Sequence, residues 1–318
     1  MTLKMLKEEV DMAELIRQIE ESDIPKIKAV LKEAGFEEEY SDIMRLGGMT
    51  NHSYRITLRD GTELTVRLPG EGTEEMIVRS DERKSTELAC RLGIDSELFL
   101  FDDEGNKVMR YIHDPQPMNE EVLRRKENIV QAAHIFHKLH TCGEDTGVRF
   151  EVFEMAALYE RIILEAGVAL YPDYDEVKQT VMNIKSEMDK INDVTRVPCH
   201  NDSLVGNWVL DSNGKLYLID WEYSGMNEAM WDLSCLSIEA EFTEAEDDEL
   251  LEQYYSVEGK RADTDKKKYF IAAKMYVDYL WTLWGLTRVP FDGEFMQEYA
   301  DARYSRLKKN IDAYKKIA

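Results

Sequence analysis

The chain has 318 residues, 43% of them hydrophobic, enough to bury a sizeable core in one two-lobed unit or two domains. Its 40 basic and 64 acidic residues leave a net charge of −24, a field that repels nucleic acid and anionic membrane surfaces and argues against a role built on phosphate-backbone binding. Four scattered cysteines, Cys90, Cys142, Cys199 and Cys235, form no Cys-x-x-Cys pair, and with no signal-peptide core in residues 1–20 and no apolar run long enough for membrane insertion, they indicate a reducing, cytoplasmic setting.

In chain order, apolar periodicity predicts helices over 12–19 and 24–34, the second closed by Gly35. The period then falls to two. Residues 53–58 and 62–68 alternate around Asp60-Gly61, and 98–101 and 107–112 flank an Asp-Asp-Glu-Gly-Asn turn. Between them, 74–92 reads as one helix ended by Gly93. Beyond Pro115 and Pro117 long helices take over, at 120–141, 152–167, 174–191, 229–239, 247–255, 265–287 and 293–316. A hairpin at 207–220 stands among them. The outline is α+β: a small antiparallel β-rich lobe, 1–112, and a larger α-helical lobe, 113–318, with a hinge near 110–114.

The hairpin carries the chemistry. Asn213-Gly214 signals a type I′ turn, whose two central residues both need φ > 0. In that register Asn207 lies across from Asp220, Trp208 from Ile219 and Val209 from Leu218. Opposed residues have Cβ atoms about 5 Å apart, so an amide oxygen and a carboxylate converge where one hard cation could join them. Asp202 lies in the loop that feeds the hairpin, as a candidate to accept a hydroxyl proton. Taken alone, a polar-ended hairpin is ordinary structure.

The string from His200 to Tyr223, with His200-Asn201-Asp202, Asn207 and Ile219-Asp220-Trp221-Glu222-Tyr223, resembles the catalytic segment of the choline kinase and aminoglycoside phosphotransferase group. Trp281 and Trp284, three apart in a late helix, with Asn227, Asp232 and Glu239 at their spacings, look like choline kinases, bacterial ones in particular, rather than aminoglycoside or thiamine kinases. Taken alone, such a Trp pair is usually core.

This resemblance implies a protein-kinase-like two-lobed fold and an ATP- and Mg2+-dependent transfer of the γ-phosphoryl group to choline. It makes Asp202 the base and His200 chiefly a brace of the loop, with Asn207 and Asp220 as metal ligands. Gly47, Gly48, Thr50 and Asn51 become the nucleotide loop, Arg67 the phosphate-binding cation, and Tyr111 and Ile112 the adenine hinge. A helix acid must fix Arg67, and Glu82 is the choice with Glu87 as fallback. Tyr223, Trp281 and Trp284 would cage a quaternary ammonium, which has no hydrogen-bond donor and is held by aromatic faces, with Glu239 and Glu222 supplying negative charge. Asp232 would tie the loop to the following helix. An ethanolamine or other small amino-alcohol kinase, or a choline-binding module without catalysis, is the alternative. Oligomeric partners carry no signal. His134, His137 and His140 suggest a metal row, but at about 100° per residue their rings diverge, and they read as helix packing.

Overall fold

The computed structural model describes residues 19–36, 39–46, 51–70, 77–191 and 195–317. Gly47, Gly48 and Thr50 lie outside the described residues, as does most of the helix expected at 12–19. Contacts divide the chain into two units, Met1–Pro117 with Val209–Glu222, and Met118–Trp208 with Tyr223–Ala318. The hairpin thus groups with the amino-terminal residues, whereas the sequence reading put everything from 113 onward in one lobe.

The first unit is built on an antiparallel sheet of five strands, β1 (Tyr40–Arg45), β2 (His52–Leu58), β3 (Glu63–Leu68), β4 (Leu98–Phe101) and β5 (Lys107–Arg110), in the order β1-β2-β3-β5-β4. Strand β1 was not anticipated, since its pattern is mostly exposed and lacks a clean alternation. On one face, Tyr54, Ile56, Leu58, Leu64, Val66, Leu68 and Val108 pack with Ile27, Val30 and Leu31 of the helix Ile24–Glu33. Side chains alternate across a strand, so Arg67 and Lys107 point to the other face, where the helix Arg79–Arg91 supplies Glu82. That helix starts later than expected, because Val78 is extended (φ −86°, ψ 102°).

The hairpin, strands Trp208–Leu210 and Leu216–Leu218, departs from the expected turn. Asp211 N–H donates to Lys215 O (3.0 Å) and Gly214 N–H to Asp211 O (3.0 Å). Among the central residues only Gly214 has positive φ (79°); Asn213 does not. The Asp211 carboxylate accepts from Asn213 and Lys215 N–H, each at 2.8 Å. This makes a three-residue loop and shifts the register by one from the type I′ pairing. Asn207 therefore ends the 3-10 turn Val205–Asn207, and Asp220 follows the strand with φ 67°, so the two are not ladder partners.

The second unit is helical. Its expected helix at 120–141 is two, Glu120–Leu123 and Lys126–His140, separated at extended Arg125 (φ −62°, ψ 137°). The helix expected at 247–255 begins earlier, at Glu244, where Thr243 and Glu246 form a reciprocal capping box. Thr264–Asp292 is buried on nearly every side by Ala229–Glu239, Val152–Glu165 and Glu294–Lys316. A second strand pair, Arg196–Cys199 with Gly225–Glu228, escaped the sequence reading, because four-residue strands carry too little period to register. Among the described residues no helix is long and apolar enough to cross a membrane.

Candidate active site

In the second unit, Arg196–Cys199 pairs antiparallel with Gly225–Glu228, so Cys199 faces Gly225 and the two ends of the intervening segment are held together. Ser224 Oγ donates to Cys199 O (2.7 Å). What shapes the loop beyond Cys199 is one buried carboxylate. Asp232, in the first turn of Ala229–Glu239, accepts His200 N–H on Oδ2 and Asn201 N–H on Oδ1, both at 2.8 Å, and lies 3.1 Å from His140 Nε2. A buried carboxylate needs such donors to offset its lost hydration. His140 also meets the Tyr254 hydroxyl at 3.0 Å, so it is a hydrogen-bonded core residue.

Asn201 turns the chain with φ 69°, a left-handed value that Asn tolerates better than most residues. Its backbone carbonyl accepts from Trp231 Nε1 (2.9 Å), its side-chain amide donates to Tyr223 O (3.0 Å), and its Oδ1 accepts from Asn227 (2.9 Å). His200, Asn201 and Ser203 are fully buried. Asp202, between them, is only half-buried. Its N–H donates to His200 Nδ1 (3.3 Å), which gives His200 a bracing position. Asn207 Nδ2 donates to Asp202 O (2.8 Å), so the amide oxygen is the ligand atom Asn207 can offer.

The same unit holds a chain of rings in edge-to-face contact, a favoured aromatic geometry. Tyr223 meets Trp281 at 5.9 Å, Trp281 meets Trp284 at 5.9 Å, and Trp284 meets Tyr299 at 5.8 Å between centroids. Trp281 is buried, whereas Tyr223, Trp284 and Tyr299 keep partial exposure. Tyr299 was missed, and the residue that seats it is Gly285: a Cβ there would lie 2.8 Å from Tyr299 Cδ1. Burial, then the charges of Glu239 and Asp202, hold the Tyr299 phenol above its ordinary value against the pull of Arg303. The field of Asp202 thus reaches the aromatic chain. Glu239 is bound by Arg303 at 2.6 Å, a partner the sequence reading also missed.

In the first unit, Arg67 Nη1 and Nη2 reach the two oxygens of Glu82 at 2.6 and 3.1 Å, and Nη2 also donates to Gly105 O (2.9 Å). Glu82 is therefore the partner, not Glu87. Arg79 (2.8 Å) and Lys107 (2.9 Å) join on the same carboxylate, cations that ordinary spacing did not single out. Asp220 Oδ1 lies 3.9 Å from Arg67 Nη1, is buried, and has no hydrogen-bond donor among the described residues. Glu222 Oε2 accepts from Asn51 Nδ2 (3.2 Å) and lies 3.9 and 3.8 Å from Arg67 and Arg79. Burial and then the Asp220 charge raise the Glu222 carboxyl above its usual value. Oxygens of Glu82, Asp220 and Glu222 lie within 4.8 Å of one another. An undonated carboxylate oxygen beside two further carboxylates fits a hard divalent cation.

Glu222, expected to supply charge to an ammonium pocket, has Asn51, Arg67 and Arg79 as its partners, and it ends the segment that groups with the first unit. Tyr111 donates its N–H to Glu63 O (3.2 Å) and lies under Arg55, 5.1 Å from its ring centroid, beside half-buried Ile112.

The profile of the Choline/ethanolamine kinase family matches residues 43–307. The chain belongs to this family. It is a phosphotransferase with an alcohol group as acceptor, on a protein-kinase-like fold. A choline/ethanolamine kinase family protein from Mesorhizobium loti superposes with a TM-score of 0.78 at 32% identity, covering 91% of this chain and 94% of that one. The choline kinase LicA from Streptococcus pneumoniae gives 0.75 at 31%, covering 91% and 97%. A structure of LicA in complex with AMP gives 0.72 at 30%, covering 91% and 98%.

Proposed function

We propose that this member of the choline/ethanolamine kinase family is a cytoplasmic, Mg2+-dependent choline kinase that moves the γ-phosphoryl group of ATP to the choline hydroxyl. The observation that carries the choline reading is the run of rings from Tyr223 through Trp281 and Trp284 to Tyr299, in the unit that also holds Asp202. A quaternary ammonium gains about 0.5 to 2 kcal/mol from each such face and has no donor to satisfy. The names of the similar solved structures, a choline kinase and a LicA bound to AMP, support the acceptor and the nucleotide.

In this reading Asp202 orients the choline hydroxyl and accepts its proton as the phosphoryl group transfers, and His200 and Asp232 hold Asp202 in place. Asn207 and Asp220 are the residues that would hold a magnesium ion, with Glu222 as a further acid beside Asp220. The ion, when bound, neutralises charge on the nucleotide's phosphate oxygens. Arg67, fixed by Glu82, faces the same phosphates with Arg79 and Lys107 near it. Three cations there match three carboxylates, so a divalent ion on the acids leaves a net positive site suited to polyphosphate. Asn51, with Gly47, Gly48 and Thr50, belongs to the nucleotide loop, and Tyr111 and Ile112 to the adenine hinge.

The test is a set of parallel steady-state assays with choline, ethanolamine and an aminoglycoside at saturating MgATP. The choline reading requires the highest kcat/KM for choline. A higher value for ethanolamine would end it.

A further inference from the structure

Glu239 does not stand alone as a negative group. Arg303, on the helix Glu294–Lys316, is 4% exposed and places Nη2 2.6 Å from Glu239 Oε1. Its Nη1 lies 3.5 Å from Asp278 Oδ1, and its guanidinium carbon lies 4.7 Å from the centroid of the Tyr299 ring. Asp278 is fully buried and is shared with Arg306, whose Nε and Nη2 reach its oxygens at 2.9 and 2.7 Å. Two acids are thus matched by two guanidinium groups. This neutral network abuts the aromatic chain at Tyr299.

We propose that Arg303 is a positioning residue that sets which ammonium the pocket prefers: by neutralising Glu239 it leaves recognition to the rings. The inference rests on the reading of Tyr223, Trp281, Trp284 and Glu239 as the ammonium pocket. A primary ammonium carries three N–H donors that lose water on entry and need acceptors. Glu239 is the nearby carboxylate, and its charge is matched by Arg303, whose Nη2 lies 2.6 Å from Oε1. A trimethylammonium group loses no donor and is held by ring faces alone. The planar fork of Arg303 also fixes Glu239 and Tyr299 relative to each other, which a lysine ammonium, a point charge on a flexible stem, does less well.

The experiment compares wild type, Arg303→Met and Arg303→Lys in kcat/KM for choline and for ethanolamine, with thermal melts alongside. Arg303→Met should shift the choline-to-ethanolamine ratio towards ethanolamine by about tenfold, chiefly through a lower KM for ethanolamine. Arg303→Lys should recover part of that ratio. A ratio unchanged in Arg303→Met, with both substrates impaired alike or only the melting temperature lowered, overturns the proposal. Should Arg303→Met fail to fold, Arg303→Lys carries the comparison, and a wild-type ratio there overturns it equally. A wild-type preference for ethanolamine would instead strike at the choline reading, while the shift between variants still judges Arg303.

Discussion

Arg67 and Lys107 stand directly opposite each other on neighbouring antiparallel strands, and a single oxygen, Glu82 Oε1, lies 2.6 Å from the first and 2.9 Å from the second. Like charges across a ladder repel. Glu82 turns that repulsion into a buried cluster, and although burial acts to raise its carboxyl, Lys107 and Arg67 hold it well below the ordinary range.

Glu82→Gln should therefore destabilise the protein by about 3–5 kcal/mol, since breaking a buried pair leaves cations uncompensated. The KM for ATP should rise more than the KM for choline, because Arg67 loses its anchor. The sign of the pH effect follows from the lowered carboxyl. The folded value lies below the ordinary 4.5, so the contribution is full above about pH 4.5 and is lost as pH falls through the folded value. Urea midpoints of wild type and variant should converge on acidification; a gap constant down to pH 3 would contradict this origin.

Asp95 behaves in the opposite sense. It is buried and accepts from Ser96 N–H (2.6 Å) and Trp221 Nε1 (3.1 Å), yet burial pushes its carboxyl from 3.8 up to about 6. Below the ordinary value both states hold the proton; between it and about pH 6 only the folded state does, so stability falls as pH rises. From pH 4 to pH 7, Asp95→Asn should gain on wild type by about 3 kcal/mol at most. Denaturant titrations at both pH values check this, and a pH-independent difference would refute it.

Asp202→Ala should lower kcat by about 10²–10⁴-fold while leaving choline affinity within a few-fold. Intrinsic tryptophan fluorescence gives the affinity without turnover. A variant that keeps near-normal kcat would remove Asp202 from the proposed chemistry.

Trp284→Ala should raise the KM for choline by about tenfold with a smaller effect on kcat. Gly285→Ala should act in the same direction without replacing an aromatic residue, because the added methyl displaces Tyr299. Loss of melting temperature alone, with KM unmoved, would return both positions to core packing.

The parts legible in the sequence were those governed by local chemistry. The helix Tyr174–Ile191 followed from its period, whereas Glu82 as the partner of Arg67 and Asp232 as the tie to the loop followed from the resemblance carried by the motifs. The hairpin register failed because Asp211 captures two backbone N–H groups and selects a different turn, a side-chain contact that the Asn-Gly dipeptide does not encode. Tyr299 and Arg303 were passed over because each sits among charged neighbours that resemble a solvated face, and Arg79 and Lys107 because a lone cation at the start of a helix or strand resembles an exposed end. Only packing reveals that Arg303 and Lys107 are buried.

The segment Val209–Glu222 groups with the amino-terminal residues although the chain on both sides of it groups with the helices. Gln116 N–H donates to Leu210 O (2.8 Å), and Leu218 N–H to Ile94 O (3.2 Å). No single cleavage can then release either half whole. A fragment stopped at Pro117 would lack the partners of Ile94 and Asp95, whereas a circularly permuted chain that reopens elsewhere would retain them.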